Sequence, residues 1–287
     1  MFLSIDFEDF NYDFKVKFSE ANDPPLKTDA LWKKYNLINE FLCRNGKNNG
    51  RFITFFCTAI LAEKAPDLIR HISKDGHEIA CHYYQHDIME NQSITKVETT
   101  LRRAKSILED ASQTEVIGFR APYFKINKIT PEQYLAVERC FDYDSSYYCQ
   151  STEELKKFKE NMGLTQLKIL PVFSKSFAGK NLRLGGTFLK LFPQFYCLFL
   201  AQKAREVGIT PHIYLHPYEF GVSEEFRVSR EELNKLGFGH FKSLYWQYRQ
   251  SQWLTVRNAS TVTKLEKLLK IYQLRGTLRD NMDHIFI

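Results

Sequence analysis

Segments that predict strands alternate with segments that predict helices along most of this 287-residue chain. Residues 2–5 form a short apolar run typical of a buried strand, and residues 30–42 repeat apolar side chains at helical intervals. Residues 51–58 are β-branched and aromatic, which favours a second strand, and residues 66–73 begin with a proline, as many helices do. Such alternation is typical of an α/β fold in which helices cover a mostly parallel sheet.

The alternation continues towards the end of the chain. Residues 93–108 are amphipathic, and residues 116–119 predict a strand that runs into Arg120. Further segments of strand or helix character cover residues 134–139, 142–147, 168–173, 195–207, 212–215 and 262–272. In α/β folds the functional site is built from residues that follow the strands, so those segments are the first place to look for one.

No internal repeat, low-complexity tract or flexible linker divides the sequence, so we predict a single domain over residues 1–287. Residues 225–287 are rich in aromatic and basic side chains, and we expect them to form a helical extension of that domain. Hydrophobic residues make up 44% of the chain and aromatic residues 15%, which is enough for a sizeable core.

The charge of the chain limits its partners. Forty lysines and arginines against 34 acidic residues give a formal charge of +6, without a block of five like charges. Dedicated nucleic-acid binding is therefore not expected, whereas attraction to anionic sugars, lipid diphosphates or acidic membrane surfaces is compatible with this charge. The six cysteines form no CxxC pair, which is typical of free thiols. Without a recognisable leader or an unbroken apolar span, we predict a cytoplasmic protein with no transmembrane segment, compatible with peripheral membrane association.

His82 and His86 stand four residues apart in the segment GHEIACHYYQH, residues 76–86. At that spacing two imidazoles would share one face of a helical turn, close enough to bind one metal ion. A catalytic metal needs about three protein ligands and an open position for water, and the acidic residues 6–9 offer the missing carboxylate. The pattern favours a metal-dependent hydrolase over a structural metal site, because no cysteine is placed to complete a closed site.

Short motifs then follow one another in an order that resembles the polysaccharide deacetylases (carbohydrate esterase family 4, the chitooligosaccharide-deacetylase homology domain). They are SIDFED (4–9), FITFF (52–56), GHEI (76–79) leading to His82 and His86, GFRAPY (118–123), YDSS (143–146), GG (185–186) before LFP (191–193), and LHPY (215–218). The resemblance covers residues 2–220 and lies nearest the allantoinase-like branch. It implies a distorted (β/α) barrel with about seven parallel strands.

Roles follow from the resemblance position by position. His82 and His86 match the two metal histidines, Arg120 matches the arginine that orients the catalytic carboxylate, and His216 matches the general acid. Pro122 and Tyr123 would form a wall of the substrate groove, where a backbone N–H could help to bind an oxyanion. Asp144 has two interpretations of about equal weight, orientation of His216 or an Asx turn before Ser145.

The first motif departs from the family pattern, in which two adjacent aspartates precede a glycine. This chain has Asp6, Glu8 and Asp9 instead. If the strand continues through Glu8, that residue shares a face with Asp6 and would be the metal ligand. If the chain turns at Glu8, Asp9 becomes the ligand. We prefer Asp6 as the catalytic base and Asp9 as the ligand, with Glu8 as the alternative.

The resemblance implies hydrolysis of an amide on a carbohydrate. We expect Zn²⁺, or another divalent metal, and an N-acetylated sugar or oligosaccharide as substrate, nucleotide- or lipid-linked in the assembly of a bacterial surface polysaccharide such as lipopolysaccharide or capsule. Two alternatives remain open. One is an allantoinase-like C–N hydrolase that acts on a small amide or ureide, and the other is a non-catalytic glycan-binding relative.

Overall fold

The computed structural model describes residues 1–19, 23–177 and 179–283. Within these ranges the chain forms ten strands: β1 (Phe2–Phe7), β2 (Thr54–Cys57), β3 (Glu78–Cys81), β4 (Gly118–Phe119), β5 (Tyr143–Asp144), β6 (Tyr148–Cys149), β7 (Lys168–Ile169), β8 (Val172–Phe177), β9 (Lys180–Arg183) and β10 (His212–Leu215). The α-helices in the same ranges are α1 (Phe10–Phe18), α2 (Thr28–Asn45), α3 (Ala59–Lys64), α4 (Pro66–Lys74), α5 (Ile94–Ser112), α6 (Glu132–Glu138), α7 (Thr152–Asn161), α8 (Gly186–Leu191), α9 (Gln194–Glu206), α10 (Arg230–Lys235), α11 (His240–Leu254) and α12 (Ala259–Leu269).

Seven of these strands form one parallel sheet in the order β10-β1-β2-β3-β4-β5-β7. The sheet curls into a half barrel that is covered by helices. The other three strands form a smaller sheet, in which β6 runs parallel and β9 antiparallel to β8. The predicted α/β fold, a distorted barrel with about seven parallel strands, is confirmed.

The central strands are buried on both faces, which explains their composition. All six residues of β1 are buried, and β2 and β3 are buried along their whole length. One face of the sheet packs against the helices, and the other encloses a second apolar cluster that includes Phe2 and Phe56, so its strands are largely apolar runs rather than alternating ones. Asp6 is an exception near the end of β1, where it lies in register with Phe56 of β2. A buried carboxylate in such a strand needs a partner and is a sign of function.

Helix α5 shows how the helical pattern places apolar residues in the core. Its N-cap is Ser93, whose side chain accepts a hydrogen bond from the backbone N–H of Lys96. The helix buries the apolar residues that repeat every three or four positions, Val97, Leu101, Ala104 and Leu108. Burying a leucine of this kind stabilises the fold by roughly 1.5–3 kcal/mol. The helix predicted over residues 93–108 is confirmed, and it extends one turn further.

The segment that carries His82 and His86 is not helical, so the predicted helical turn is wrong. β3 pairs with β2 and ends at Cys81, and His82 follows it directly. Tyr83 then adopts a left-handed conformation with φ of 67°, which turns the chain away from the sheet. The two imidazoles face each other because of this turn, with ring centroids 5.2 Å apart.

Two other local predictions need correction. The single segment of regular structure expected over residues 168–173 is divided between β7 and β8, which belong to different sheets. The pattern did not predict α1, whose apolar residues are mostly phenylalanines spaced four apart.

The helices of the C-terminal segment pack on the rest of the domain. Of these, α11 and α12 contribute Leu254, Leu265 and Leu268 to the main core. Across the described ranges, no helix is both long and apolar enough to cross a bilayer.

Candidate active site

Four strands of the parallel sheet end at the candidate site. β1 carries Asp6 and is followed by Glu8, while β3, β4 and β10 are followed by His82, Arg120 and His216. Because the carboxyl ends of parallel strands lie at the same edge of a sheet, residues distant in sequence meet there. The structure brings Asp6, Glu8, His82 and His216 to one cavity, and Arg120 is buried behind Asp6.

The carboxylate of Glu8 lies among three histidine rings. Its Oε2 is 2.7 Å from Nε2 of His86 and 3.8 Å from Nε2 of His82, and its Oε1 is 3.8 Å from Nε2 of His216. The hydroxyl of Tyr218 donates a hydrogen bond to Oε1 at 3.0 Å. Burial raises the pKa of Glu8, but the charges of the histidines outweigh burial and bring this pKa to about 2. Glu8 is therefore an ionised, buried carboxylate.

Glu8, His82 and His86 form a group able to hold a metal ion. Their ligand atoms all lie within 4.8 Å of one another. Oε2 of Glu8 is buried and accepts no well-aligned hydrogen bond from the described residues, although Nε2 of His86 is close. Two imidazole nitrogens and one carboxylate oxygen beside a cavity are a donor set that suits a catalytic divalent metal.

The contacts of His82 fix the nitrogen that it presents to this group. Its Nδ1 lies 2.7 Å from the carbonyl oxygen of Arg120. Because a carbonyl can only accept, Nδ1 carries the proton and Nε2 offers its lone pair towards Glu8. Burial lowers the pKa of His82 to about 4, which keeps the ring neutral. A neutral imidazole with its second nitrogen held by a carbonyl is the form in which histidine binds metals.

Asp9 lies outside this group, and our preference for it as the metal ligand is corrected. Asp9 is the N-cap of α1, where its Oδ1 accepts from the backbone N–H groups of Asn11 at 2.9 Å and Tyr12 at 3.2 Å. Its Oδ2 accepts from the backbone N–H of Lys27 at 2.6 Å. Both oxygens thus hold the backbone in place. Glu8, the alternative, takes the position beside the histidines.

Asp6 is held by a buried ion pair. The side chain of Arg120 is fully buried, and its Nη1 donates to Oδ1 of Asp6 at 2.5 Å and to Oγ of Ser4 at 2.8 Å. Its Nη2 donates to Oγ of Ser145 at 2.9 Å, and the guanidinium lies 4.0 Å from the centroid of the Phe56 ring. A planar guanidinium anchored on several sides fixes the carboxylate in one orientation.

His216 is paired with a carboxylate that the sequence did not predict. Its Nδ1 lies 2.8 Å from Oε2 of Glu219, which also accepts from the backbone N–H of His216 at 3.0 Å. Burial lowers the pKa of His216, but the charges of Glu219, Glu8 and Asp6 outweigh it and raise the pKa to about 9. The ring stacks on Tyr218 with centroids 4.9 Å apart. At neutral pH this imidazole is therefore protonated.

The signal for Glu219 is present in the sequence. Pro217–Glu219 forms a 3-10 turn after β10. A proline is favoured at the first position of such a turn, so the sequence could have predicted it. The carboxylate three residues after His216 then reaches back to the imidazole and to the backbone N–H at the start of the turn.

Asp144 does not contact His216. Its Oδ2 accepts from the backbone N–H of Ser146 at 2.8 Å, and its Oδ1 accepts from the hydroxyl of Ser146 at 2.5 Å. Burial raises the pKa of Asp144 to about 6. Of its two interpretations, the structure favours the Asx turn. Asp144 and Pro122 are buried and do not line the cavity, whereas Tyr123 lies on the cavity wall with its ring 4.2 Å from that of His86.

The cavity has a volume of about 380 Å³ and mixed walls. Its polar floor is formed by the residues described above. Its walls are largely aromatic, and they are formed by Phe10, Phe14, Phe18, Tyr123, Phe124, Tyr148, Tyr214, Tyr218, Trp246 and Trp253. Aromatic faces suit the apolar faces of sugar rings, and the polar floor suits chemistry on a substituent.

Asp13 is a second residue that sequence reasoning missed. It lies on α1, lines the cavity, and places its Oδ2 4.0 Å from Nδ1 of His86. That oxygen is buried and accepts no hydrogen bond from any residue in the described ranges. Burial and the neighbouring carboxylates raise the pKa of Asp13 well above its usual value. Because α1 was not predicted, no pattern pointed to this residue.

Comparison with known proteins gives the same family as the sequence motifs. Residues 47–138 match the family model described as polysaccharide deacetylase. This segment contains His82, His86 and Arg120. No curated protein is significantly similar to the chain in sequence.

Among solved structures, an inferred polysaccharide deacetylase from Mycobacterium smegmatis superposes with a TM-score of 0.58 at 17% identity, covering 99% of this chain and 89% of that one. Puue allantoinase superposes with a TM-score of 0.48 at 16% identity, covering 92% and 90%. A CE4 family pseudoenzyme from Bacillus anthracis superposes with a TM-score of 0.45 at 14% identity, covering 100% and 66%. The chain thus shares the fold of the mycobacterial protein, and the family match over residues 47–138 confirms its resemblance to the polysaccharide deacetylases.

Proposed function

We propose that the chain is a metal-dependent hydrolase that removes the N-acetyl group from an amino sugar in a polysaccharide or in its precursor. The family match over residues 47–138 supports deacetylation of a polysaccharide in general terms. The observation that carries the proposal is the grouping of Glu8, His82 and His86 with Asp6 and His216 around one cavity.

We propose Glu8, His82 and His86 as the ligands of the metal, with Zn²⁺ as the preferred ion because its usual donors are imidazole and carboxylate. Bound there, a divalent ion would polarise an amide carbonyl and lower the pKa of a water molecule. Asp13, next to His86, would then help to hold that ring.

Asp6 and His216 have environments that suit opposite roles in amide hydrolysis. Asp6, held by Arg120, takes a proton from the attacking water while the new C–O bond forms. His216 carries its proton at Nε2, since Nδ1 is engaged with Glu219, and donates it to the sugar nitrogen as the C–N bond breaks. The products are acetate and a free amine. A protonated imidazole is required because an amide nitrogen is a poor leaving group.

The substrate setting belongs to the same proposal. The aromatic walls favour an N-acetylated sugar or oligosaccharide, and we propose one that is nucleotide- or lipid-linked in the assembly of a surface polysaccharide such as lipopolysaccharide or capsule. The cytoplasmic location, the single-domain organisation and the placement near the allantoinase-like branch stay predictions.

The test combines metal content with acetate release. The purified full-length chain should contain about one metal ion and should release acetate from N-acetylated chitooligosaccharides, and a chelator should abolish the release reversibly. His216→Ala should keep the metal and reduce turnover by roughly 10²–10⁴-fold, the usual contribution of a general acid. Absence of bound metal, or turnover that survives chelation, would contradict the proposal.

A further inference from the structure

The charged groups of the cavity are mostly matched with one another. Asp6 pairs with Arg120, Glu8 lies among the histidines, and Glu219 pairs with His216. Asp13 lies beside His86. Among the described residues, the lining cations Arg183 and Lys17 have no carboxylate within ion-pair distance. The cavity therefore has a surplus of positive charge away from its acidic floor.

Arg183 is the more enclosed of these two cations. It is the last residue of β9, and its guanidinium carbon lies 4.2 Å from the centroid of the Tyr148 ring. Its Nε is buried and donates no hydrogen bond to any described residue. Lys17, by contrast, is exposed near the ring of Tyr123. Stacking uses only the face of the guanidinium and leaves the N–H edge without a partner.

The position of Arg183 relates it to the proposed chemistry. Its guanidinium carbon lies 5.9 Å from the Phe124 ring, and Phe124 contacts the Tyr214 ring with centroids 4.8 Å apart. The Tyr214 ring in turn lies 6.3 Å from that of His216. Two aromatic rings thus separate Arg183 from the proposed acid, and all four residues line the same cavity.

We propose that Arg183 binds an anionic group of the substrate, a carboxylate or a phosphate, carried by the amino sugar that is deacetylated or by the sugar next to it. This inference rests on the proposed function and names the substrate class of the same cavity. A guanidinium with a free N–H edge matches the paired oxygens of either anion, and the stack on Tyr148 holds it ready. The Nε–H is buried and has no acceptor among the described residues. A charge-assisted hydrogen bond from this group to the anion would satisfy it and so favours binding further.

The experiment measures binding rather than turnover. Isothermal titration calorimetry on the full-length chain compares N-acetylglucosamine, which is neutral, with N-acetylmuramic acid and N-acetylglucosamine 6-phosphate, which add a carboxylate and a phosphate. We expect at least one charged sugar to bind roughly 10- to 100-fold more tightly than the neutral one, the range of a charge-assisted hydrogen bond. The charged sugar whose affinity exceeds that of the neutral sugar by the larger factor identifies the anion.

Three variants locate the effect. Arg183→Gln should abolish the preference for the charged sugar, and Arg183→Lys should restore part of it, because lysine keeps the charge but not the planar edge. Lys175→Gln is the matched control, since it removes an exposed cation from β8, the strand paired with β9, outside the cavity lining. It should leave the preference unchanged.

Three results would overturn the inference. The first is equal affinity of the neutral and both charged sugars for the unmodified chain. The second is a preference that survives Arg183→Gln. The third is a preference that disappears on chelation, since the anion would then bind a metal instead of Arg183. Failure of acetate release in a separate assay would count against the proposed function alone, because the binding preference does not depend on turnover.

Discussion

Glu219 fixes both the orientation and the charge of His216. A single oxygen, Oε2, lies 2.8 Å from Nδ1 of the imidazole and 3.0 Å from the backbone nitrogen of the same residue. Since one nitrogen of the ring is engaged, the other is left to face Glu8 and the cavity, with Nε2 3.8 Å from Oε1 of Glu8. The contact with Glu219, three residues later in the chain, therefore holds the His216 ring as a proton donor.

Glu219→Gln should move the pH dependence of turnover. The proposed acid works only when protonated, and its pKa of about 9 means that the active form is lost as the pH rises through that value. Removing the charge of Glu219 removes the main cause that raises this pKa, so the alkaline limb of the kcat profile should move to lower pH. The measurement is kcat against pH for both proteins.

Asp144→Asn is the matched control for this shift. It also removes a buried carboxylate, but one that contacts Ser146 rather than His216. We expect the Asp144 variant to have a lower melting temperature. The alkaline limb of its kcat profile should stay at the same pH. A limb that moves in the Asp144 variant and not in the Glu219 variant would return the orienting role to Asp144.

Glu8→Gln and Asp9→Asn should separate metal binding from helix capping. The Glu8 variant removes the charged oxygen closest to both histidines, so its affinity for Zn²⁺ should fall at least about tenfold. The Asp9 variant should retain the metal and the cap of α1 but lose about 1 kcal/mol of stability, because its NH₂ group cannot accept the hydrogen bond from the backbone N–H of Lys27. Metal titration and thermal unfolding of both variants give the answer, and the reverse pattern would restore Asp9 as the ligand.

Asp6→Asn should reduce turnover by roughly 10²–10⁴-fold without loss of metal, since the amide cannot take the proton from water. It also leaves Arg120 buried without its counter-charge, which costs about 3–5 kcal/mol of folding free energy. Activity and metal content should therefore be measured well below the melting temperature. Ser4→Ala, which removes a neutral partner of Arg120, is the control and should keep most of the activity.

Gly185→Ala should destabilise the protein more than Gly163→Ala. Gly185 has φ of 139°, and a Cβ there would lie 2.4 Å from the carbonyl oxygen of Tyr214. Gly163 also has a positive φ, of 64°, but its Cβ would meet no atom of the described part of the chain within 4 Å, so only about 1–2 kcal/mol of backbone strain is expected. The free energy of unfolding, measured with denaturant, compares backbone strain alone in the Gly163 variant with strain plus a steric clash in the Gly185 variant. Equal losses would show that the approach of Gly185 to β10 can relax.

The parts of the fold that could be predicted are those whose pattern is local. The segment of regular structure predicted over residues 212–215 has the bounds of β10, because His212–Leu215 is a short apolar run between turn residues. The sequence predicted that His82 and His86 lie close together, which is confirmed by the structure. The prediction that they share a helical turn was wrong. A spacing of four fits a helix, and nothing in the residue type shows that Tyr83 has a positive φ.

The carboxylate ligand could not be chosen from the sequence for a different reason. Glu8 and Asp9 are adjacent acids, and the choice between them depends on where the backbone leaves β1. That point is set by the hydrogen bonds of Asp9 to the start of α1 and to Lys27, which is distant in sequence. Asp13 was missed with α1 itself. The contact between Asp9 and Lys27 spans 18 residues, so no local pattern shows it.

The placement of the tryptophans gives the protein an optical property. The chain has three tryptophans, and two of them, Trp246 and Trp253, line the cavity. The third, Trp32, packs beside His71 on α4, with ring centroids 5.0 Å apart. Indole emission responds to local polarity, so a sugar that displaces water from the aromatic wall changes the emission of two fluorophores and leaves the third as an internal reference. The protein therefore carries a built-in, label-free reporter of cavity occupancy.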